Sequence, residues 1–246
     1  MTESRTVLIT GGGGGIGRGI AEAFLAQGDR VVLADVNGDA VAAVAAELGA
    51  ASVALDITDP AAVATTVAAV AADHGPIDVL VNNAGILSVH GAITELAAGA
   101  YKAIVDVNIV GTFNVTQAVA NQMIAAGTPG TIVNISSIGG KQPTPGMGAY
   151  ESSKAAVDSL TRWAAIELAG HGIRVNAVAP GPVLTPMLQM GMPAGSPARV
   201  AWESRIPLAK FAAVDDIAPA VLFLAGPGAG HITGVSLPVD GGQLLA

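Results

Sequence analysis

Seven short runs of β-branched and aliphatic residues recur along the chain, at Thr6–Thr10, Arg30–Asp35, Ser52–Leu55, Asp78–Val81, Thr131–Ile135, Arg174–Val178 and Ser236–Val239. Stretches within them such as VLIT, VVLA, VLVN and TIVNI are apolar throughout and do not alternate with polar residues. A strand of that kind must be covered on both faces. Between the runs lie Ala-rich segments long enough for helices: Gly17–Gln27, Asp39–Leu48, Pro60–Asp73, Ala98–Ala126, Tyr150–Ala169 and Asp215–Leu224. This alternation predicts an α/β architecture, a seven-stranded parallel sheet flanked by helices. No repeat and no Pro/Ser-rich linker divides the 246 residues, so one domain over 1–246 is expected. The least patterned stretch, Gly181–Pro207, holds Pro182, Pro186, Pro193, Pro197 and Pro207. A long unpatterned loop in a compact domain reads as a lid, here 184–207.

The first run leads into TGGGGGIGRG, five consecutive glycines from Gly11 to Gly15. A flexible linker has nothing upstream to join. A nucleoside-triphosphate loop would need Lys and Ser/Thr after Gly17, where this chain has Arg18 and Gly19. What remains is a strand-turn-helix whose backbone N–H groups and helix dipole face a pyrophosphate, the start of a doubly wound Rossmann-type fold. Two registers fit: Gly12-x-Gly14-x-x-Gly17, or a wider one on Thr10, Gly11, Gly15 and Gly17. The second run ends at Asp35, about 20 residues on, where a carboxylate can bond the adenosine ribose hydroxyls. That charge repels a 2′-phosphate and Val36 offers no cation to hold one, so NAD is expected over NADP.

Formal net charge is −8 with only 11 basic residues and no basic cluster, which removes the electrostatic footprint of a nucleic-acid binder. The chain has no cysteine, hence no disulfide, thiolate metal site or thiol nucleophile. No metal site is assigned. The N-terminal MTESRTVLIT lacks a charged segment followed by a long apolar run, and no uninterrupted apolar stretch reaches spanning length. A cytoplasmic protein with no membrane contact is expected, and the N-x-S/T triplets at Asn114 and Asn134 read as chance.

AYESSKAAV places Tyr150 and Lys154 four apart on a helix, one side chain stacked over the other. A phenol titrates near pH 10 in isolation, and a neighbouring ammonium favours its anion, so lysine is expected to tune a proton-carrying tyrosine. Thirteen residues upstream of the tyrosine, a strand runs into Ser136 and Ser137, at the sheet edge where such folds keep their reactive groups.

With T-G-x-x-x-G-I-G, N-N-A-G, a serine thirteen before the tyrosine, and Y-x-x-x-K, the chain resembles the short-chain dehydrogenase/reductase family over essentially its whole length. The resemblance selects the wider register, leaving Gly12, Gly13 and Gly14 as its variable middle. It implies cofactor contacts from Gly11, Gly15, Ile16 and Gly17, from Asp35 and Val36, and from Asp56 and Ile57 at the adenine. It adds Asn83, Ala84 and Gly85, then Pro180, Gly181, Val183 and Thr185 toward the nicotinamide carboxamide. Ser137, Tyr150 and Lys154 become the catalytic trio, with Lys154 also holding the nicotinamide ribose and Asn108 holding a water that links the lysine to solvent.

Substrate contacts are expected from Ser137, Tyr150, Leu87, Met147 and Met187, within a cleft that Val89, Ile138, Leu188, Met190, Met192 and Trp202 make largely apolar. His90 and Lys141 are candidates to bond a polar substituent. The activity implied is NAD-dependent hydride exchange with a secondary alcohol or ketone. A 3-oxoacyl carrier-protein reductase and a non-catalytic NAD-sensing module are the alternatives. The long helices carry apolar residues on more than one face, so a homo-oligomer, dimer or tetramer, is expected.

Overall fold

The computed structural model describes residues 4–246. Its sheet has seven strands, β1 (Thr6–Thr10), β2 (Arg30–Asp35), β3 (Ala51–Ala54), β4 (Ile77–Asn82), β5 (Thr131–Ile135), β6 (Arg174–Pro180) and β7 (Ser236–Val239). They are ordered β3-β2-β1-β4-β5-β6-β7, every pair parallel. The chain winds outward in both directions from the β1/β4 pair. Ligands of open parallel sheets bind outside the strand C-termini at such a reversal, which is where the glycine turn and the Asn-Asn-Ala-Gly segment meet.

The largely apolar, non-alternating character of the inner strands has a direct cause. Val7 and Ile9 of β1 face one core with α1 (Gly15–Ala26), α2 (Gly38–Leu48) and the C-terminal α9 (Val214–Ala225), while Leu8 faces a second core on the opposite side. That second core holds Val63, Val67 and Val70 of α3 (Pro60–His74), Val115, Val119 and Met123 of α5 (Thr112–Ala126), and Ala164 of α6 (Gly148–Leu168). Strands β2 and β4 divide their residues in the same way. Entry into α3 is fixed by Asp59, whose carboxylate accepts from the N–H groups of Ala61 (2.9 Å) and Ala62 (3.1 Å) ahead of a first-turn proline.

Two expectations are corrected. The single helix over Ala98–Ala126 is divided into α4 (Ala98–Val105), a widened π-helical segment (Asp106–Gly111) and α5. The reason is tertiary: Asn108 at the centre of the widened turn is tied to the backbone of Ile86. Gly111, in the same turn, lies so close to Ile57 that a Cβ would sit 2.6 Å from its side chain. The lid contains two short helices, α7 (Pro186–Gly191) and α8 (Pro197–Glu203), begun by Thr185 and Ser196 as N-caps with proline just inside. Pro186 and Pro197 thus start helices within the stretch expected to be an unpatterned loop.

Among the described residues, only the stretch Ala98–Ala126 has the length and hydropathy of a span. Its buried face is accounted for by packing on β4, α3 and α6.

Candidate active site

A cleft of about 1110 Å³ opens along the C-terminal edge of the sheet, from the glycine turn and Asp35 at one end to the lid at the other. At the first end Gly11 adopts φ +67°, and a Cβ there would lie 2.8 Å from Ala84 Cα. A Cβ on Gly17 would land on the carbonyl oxygen of Gly11. Thr10 and Asn83 lock this approach. The Thr10 hydroxyl accepts from Asn83 N (3.2 Å) and Ala84 N (3.1 Å), and Asn83 Nδ2 donates to the carbonyls of Thr10 (3.1 Å) and Gly11 (2.9 Å). Asn83 is thus a brace between β4 and the turn as well as a wall of the cleft.

Gly12 departs from the expected variable middle. A Cβ on it would stand 2.8 Å from Leu33 Cβ, while nothing lies within 4 Å of one on Gly14. Gly13 N donates to Asp35 Oδ2 (3.0 Å) and Asn37 N to Asp35 Oδ1 (2.9 Å), so the carboxylate is aimed at the turn. Val36 beside it is 73% exposed. This bare backbone cradle fits the diphosphate of a dinucleotide, which needs close N–H approach and no side chain in the way.

In the middle of the cleft, both serines that follow β5 line the wall. Ser136 is buried and donates to the carbonyl of Lys154 (3.2 Å), and Ser137 accepts from Gly139 N (3.1 Å). Tyr150 and Lys154 project from the first turns of α6, with Nζ 5.6 Å from the centre of the phenol ring. Lys154 Nζ donates to the carbonyl of Ile135 (2.7 Å). A Cβ on Gly85 would lie 3.3 Å from Asn108 Oδ1 and 3.4 Å from Lys154 Nζ, which shows how closely these groups gather. Asn108 accepts from Ile86 N (2.8 Å), and its two N–H bonds go to the Ile86 carbonyl (3.0 Å) and Ser153 Oγ (2.9 Å). Its amide donors are spent on holding the β4 loop and α6 to the widened turn.

Burial pushes the Tyr150 phenol above the ordinary tyrosine range; the Ser137 hydroxyl pulls it back and the Glu151 carboxylate raises it further. This differs from the expectation that Lys154 governs the phenol. Desolvation lowers the lysine itself to about 8, with Asp158 opposing. A cation short of hydration is a strong partner for any anion formed beside it.

Most cofactor positions expected from sequence line the cleft: Gly11, Gly15, Ile16, Asp35, Asn83, Ala84, Gly85, Pro180, Gly181, Val183 and Thr185. The Cβ of a residue at Gly15 would meet the Thr185 methyl at 3.6 Å, which joins the turn to the base of the lid. Gly17, Val36, Asp56, Ile57 and Asn108 stand outside the lining. Asp56 turns to Thr58, accepting from its N (2.9 Å) and hydroxyl (2.8 Å), which holds the carboxyl below its usual range, and Ile57 is buried against Gly111.

On the substrate side Leu87, Ile138, Met147, Leu188, Met192 and Trp202 line the cleft, but Val89 does not and Met190 is 79% exposed. The side chain of Met187 lies outside what the structure describes. Lys141 turns away to Asp158 (2.7 Å) and Ser236 (2.8 Å), which removes it from the polar candidates, while His90 remains. Sequence reasoning missed Gln142, Thr144, Glu151, Phe211 and Gln243.

A glycine cradle for a dinucleotide opening onto a phenol, a serine hydroxyl and a buried ammonium defines an oxidoreductase site. The family model described as enoyl-(acyl carrier protein) reductase matches residues 12–243. A sorbitol dehydrogenase from Cereibacter sphaeroides is 38% identical over 99% of each chain. Two similar solved structures are ElxO with NADP bound and the 3-ketoacyl-(acyl-carrier-protein) reductase from Brucella melitensis complexed with NADH. The first has TM-score 0.93 and 34% identity, covering 99% of this chain and 100% of that one. The second has TM-score 0.90 and 36% identity, covering 98% of each. The chain belongs to the short-chain dehydrogenase/reductase family.

Proposed function

We propose that this protein exchanges a hydride between NAD and a secondary alcohol or ketone of modest size, with Tyr150 as general acid and base. The observation that carries the reading is the placement of Tyr150 beside Ser137 and Lys154 where the glycine cradle opens into the cleft. When bound, the nicotinamide supplies the hydride acceptor or donor. The residues that would hold the dinucleotide are the backbone of Gly11–Gly17, Asp35 at the ribose, and Gly85, Pro180, Gly181, Val183 and Thr185 toward the nicotinamide. Ser137 hydrogen-bonds the substrate oxygen and steadies its developing charge. Tyr150 takes the alcohol proton in oxidation and returns one in reduction. Lys154, desolvated and cationic near neutral pH, stabilises the phenolate as it forms.

NAD is proposed over NADP because a 2′-phosphate would meet the Asp35 carboxylate. Arg18 at the start of α1 offers no compensation, since Glu22 (3.0 Å) and Glu47 (2.7 Å) already engage it. Likeness to a carrier-protein reductase supports a second reading, reduction of a 3-oxoacyl thioester. The net charge of −8 opposes docking of an acidic carrier. Tyr101 (43%), Val110 (42%), Trp163 (50%) and Ile166 (80%) leave an apolar face exposed on α4, the widened turn and α6, which supports assembly into a homo-oligomer.

A panel of secondary alcohols with NAD and with NADP, run beside a 3-oxoacyl thioester with the reduced cofactors, tests these readings. Oxidation of alcohols with NAD is the expected result. Thioester reduction alone favours the carrier-linked enzyme, and NADH binding without turnover of any substrate favours a sensor.

A further inference from the structure

Glu151 follows Tyr150 directly and is only 5% exposed, yet its carboxylate forms no salt bridge in the described structure. Both oxygens accept from one donor, the N–H of Thr144, at 2.8 and 2.9 Å. The stem is held rigidly, for a Cβ on Gly139 would lie 2.9 Å from Glu151 Cγ, and Gly139 is itself bonded to Ser137. So the carboxylate sits against the turn that begins at the substrate-facing serine, and it lines the cleft. A buried carboxylate has about four acceptor sites, and one N–H leaves most of them unused. Burial of such a charge is costly unless further donors reach it, and the open side is the cleft.

We infer that Glu151 receives a second hydroxyl of the substrate, making this site one for vicinal diols and longer polyols. The inference rests on the proposed alcohol oxidation and adds to it what the neighbouring carbon carries. The reacting hydroxyl lies between Ser137 and Tyr150, while its neighbour donates to Glu151 and is not consumed. An alcohol without that group leaves the carboxylate underpaired when the substrate displaces water, which penalises it beyond the loss of one contact. Gln142, Thr144 and His90 also line the cleft and add polar groups for longer chains. The largely apolar cleft expected from sequence therefore has a polar sector beside the reacting centre.

Glu151→Gln separates this role from that of a loop clamp. The amide oxygen still accepts from Thr144 N, while the amide nitrogen presents a donor in place of a charged acceptor. The charge of Glu151 also acts on Tyr150, but that effect is common to all substrates and cancels in a ratio. The test compares kcat/KM for butane-2,3-diol and butan-2-ol in the two proteins. The wild type should favour the diol by about tenfold or more, and in Glu151→Gln this preference should fall by about tenfold, mainly through KM for the diol. An unchanged ratio, or a wild type that favours butan-2-ol, overturns the inference and leaves the parent reading standing. Failure to oxidise either alcohol, or any other secondary alcohol, overturns both.

Discussion

The glycine turn and the lid sit at opposite ends of one cleft and are built on contrary principles. In the turn, the glycine backbone is closely packed: Gly11 against the Ala84 backbone, Gly17 against the Gly11 carbonyl, Gly12 against the Leu33 side chain. In the lid, Gly191 and Gly195 have nothing within 4 Å of where a Cβ would lie, and Met190 and Val200 are largely exposed. One end is determined by what cannot be added. The other is begun at two N-caps and leaves much of its apolar surface exposed.

Substitutions should break or sharpen that contrast. The largest effect is expected for Gly17→Ala, which drives a methyl into the Gly11 carbonyl. It should cost about 3 kcal/mol or more of stability and abolish measurable NADH binding, read by denaturant unfolding and by fluorescence titration. Next, Asp35→Ala combined with Val36→Arg removes the charge that repels a 2′-phosphate and supplies one that attracts it. The ratio of kcat/KM for NADP to that for NAD should rise by about a hundredfold, an exchange of roughly 3 kcal/mol in cofactor discrimination. The smallest effect belongs to the lid, where Gly191→Ala at the end of α7 meets open space. Its stability should stay within about 0.5 kcal/mol of wild type by the same unfolding measurement.

The same contrast explains what was legible in the sequence. The inner strands could be read because β1, β2 and β4 divide their residues between two cores, which leaves few polar positions in those runs. The cradle could be read because only glycine tolerates backbone approach from both sides. Tyr150, Lys154 and Ser137 fall at their expected positions along the cleft because helix spacing and a strand end suffice to place them. Features fixed by distant contacts were hidden. The widened turn at Asn108 depends on Ile86, 22 residues away. Lys141 turned out to serve Asp158 and Ser236, not the cleft. Glu151 reads in sequence as an ordinary charged residue in the first turn of a helix, and only the approach of Gly139 and Thr144 buries it. The direction of the Tyr150 shift was hidden for a related reason, since desolvation is a property of the packed site and not of the Y-x-x-x-K spacing.

The central claim is that Tyr150 moves the proton. Tyr150→Phe removes one oxygen from a residue whose ring packing is kept, so the cleft and the glycine cradle should be undisturbed. Alcohol-dependent NAD reduction and NADH binding, measured side by side in this variant and the wild type, test the claim most directly. The account predicts that turnover falls by about a hundredfold or more while the Kd for NADH stays within about twofold. A variant that keeps most of its turnover would contradict it.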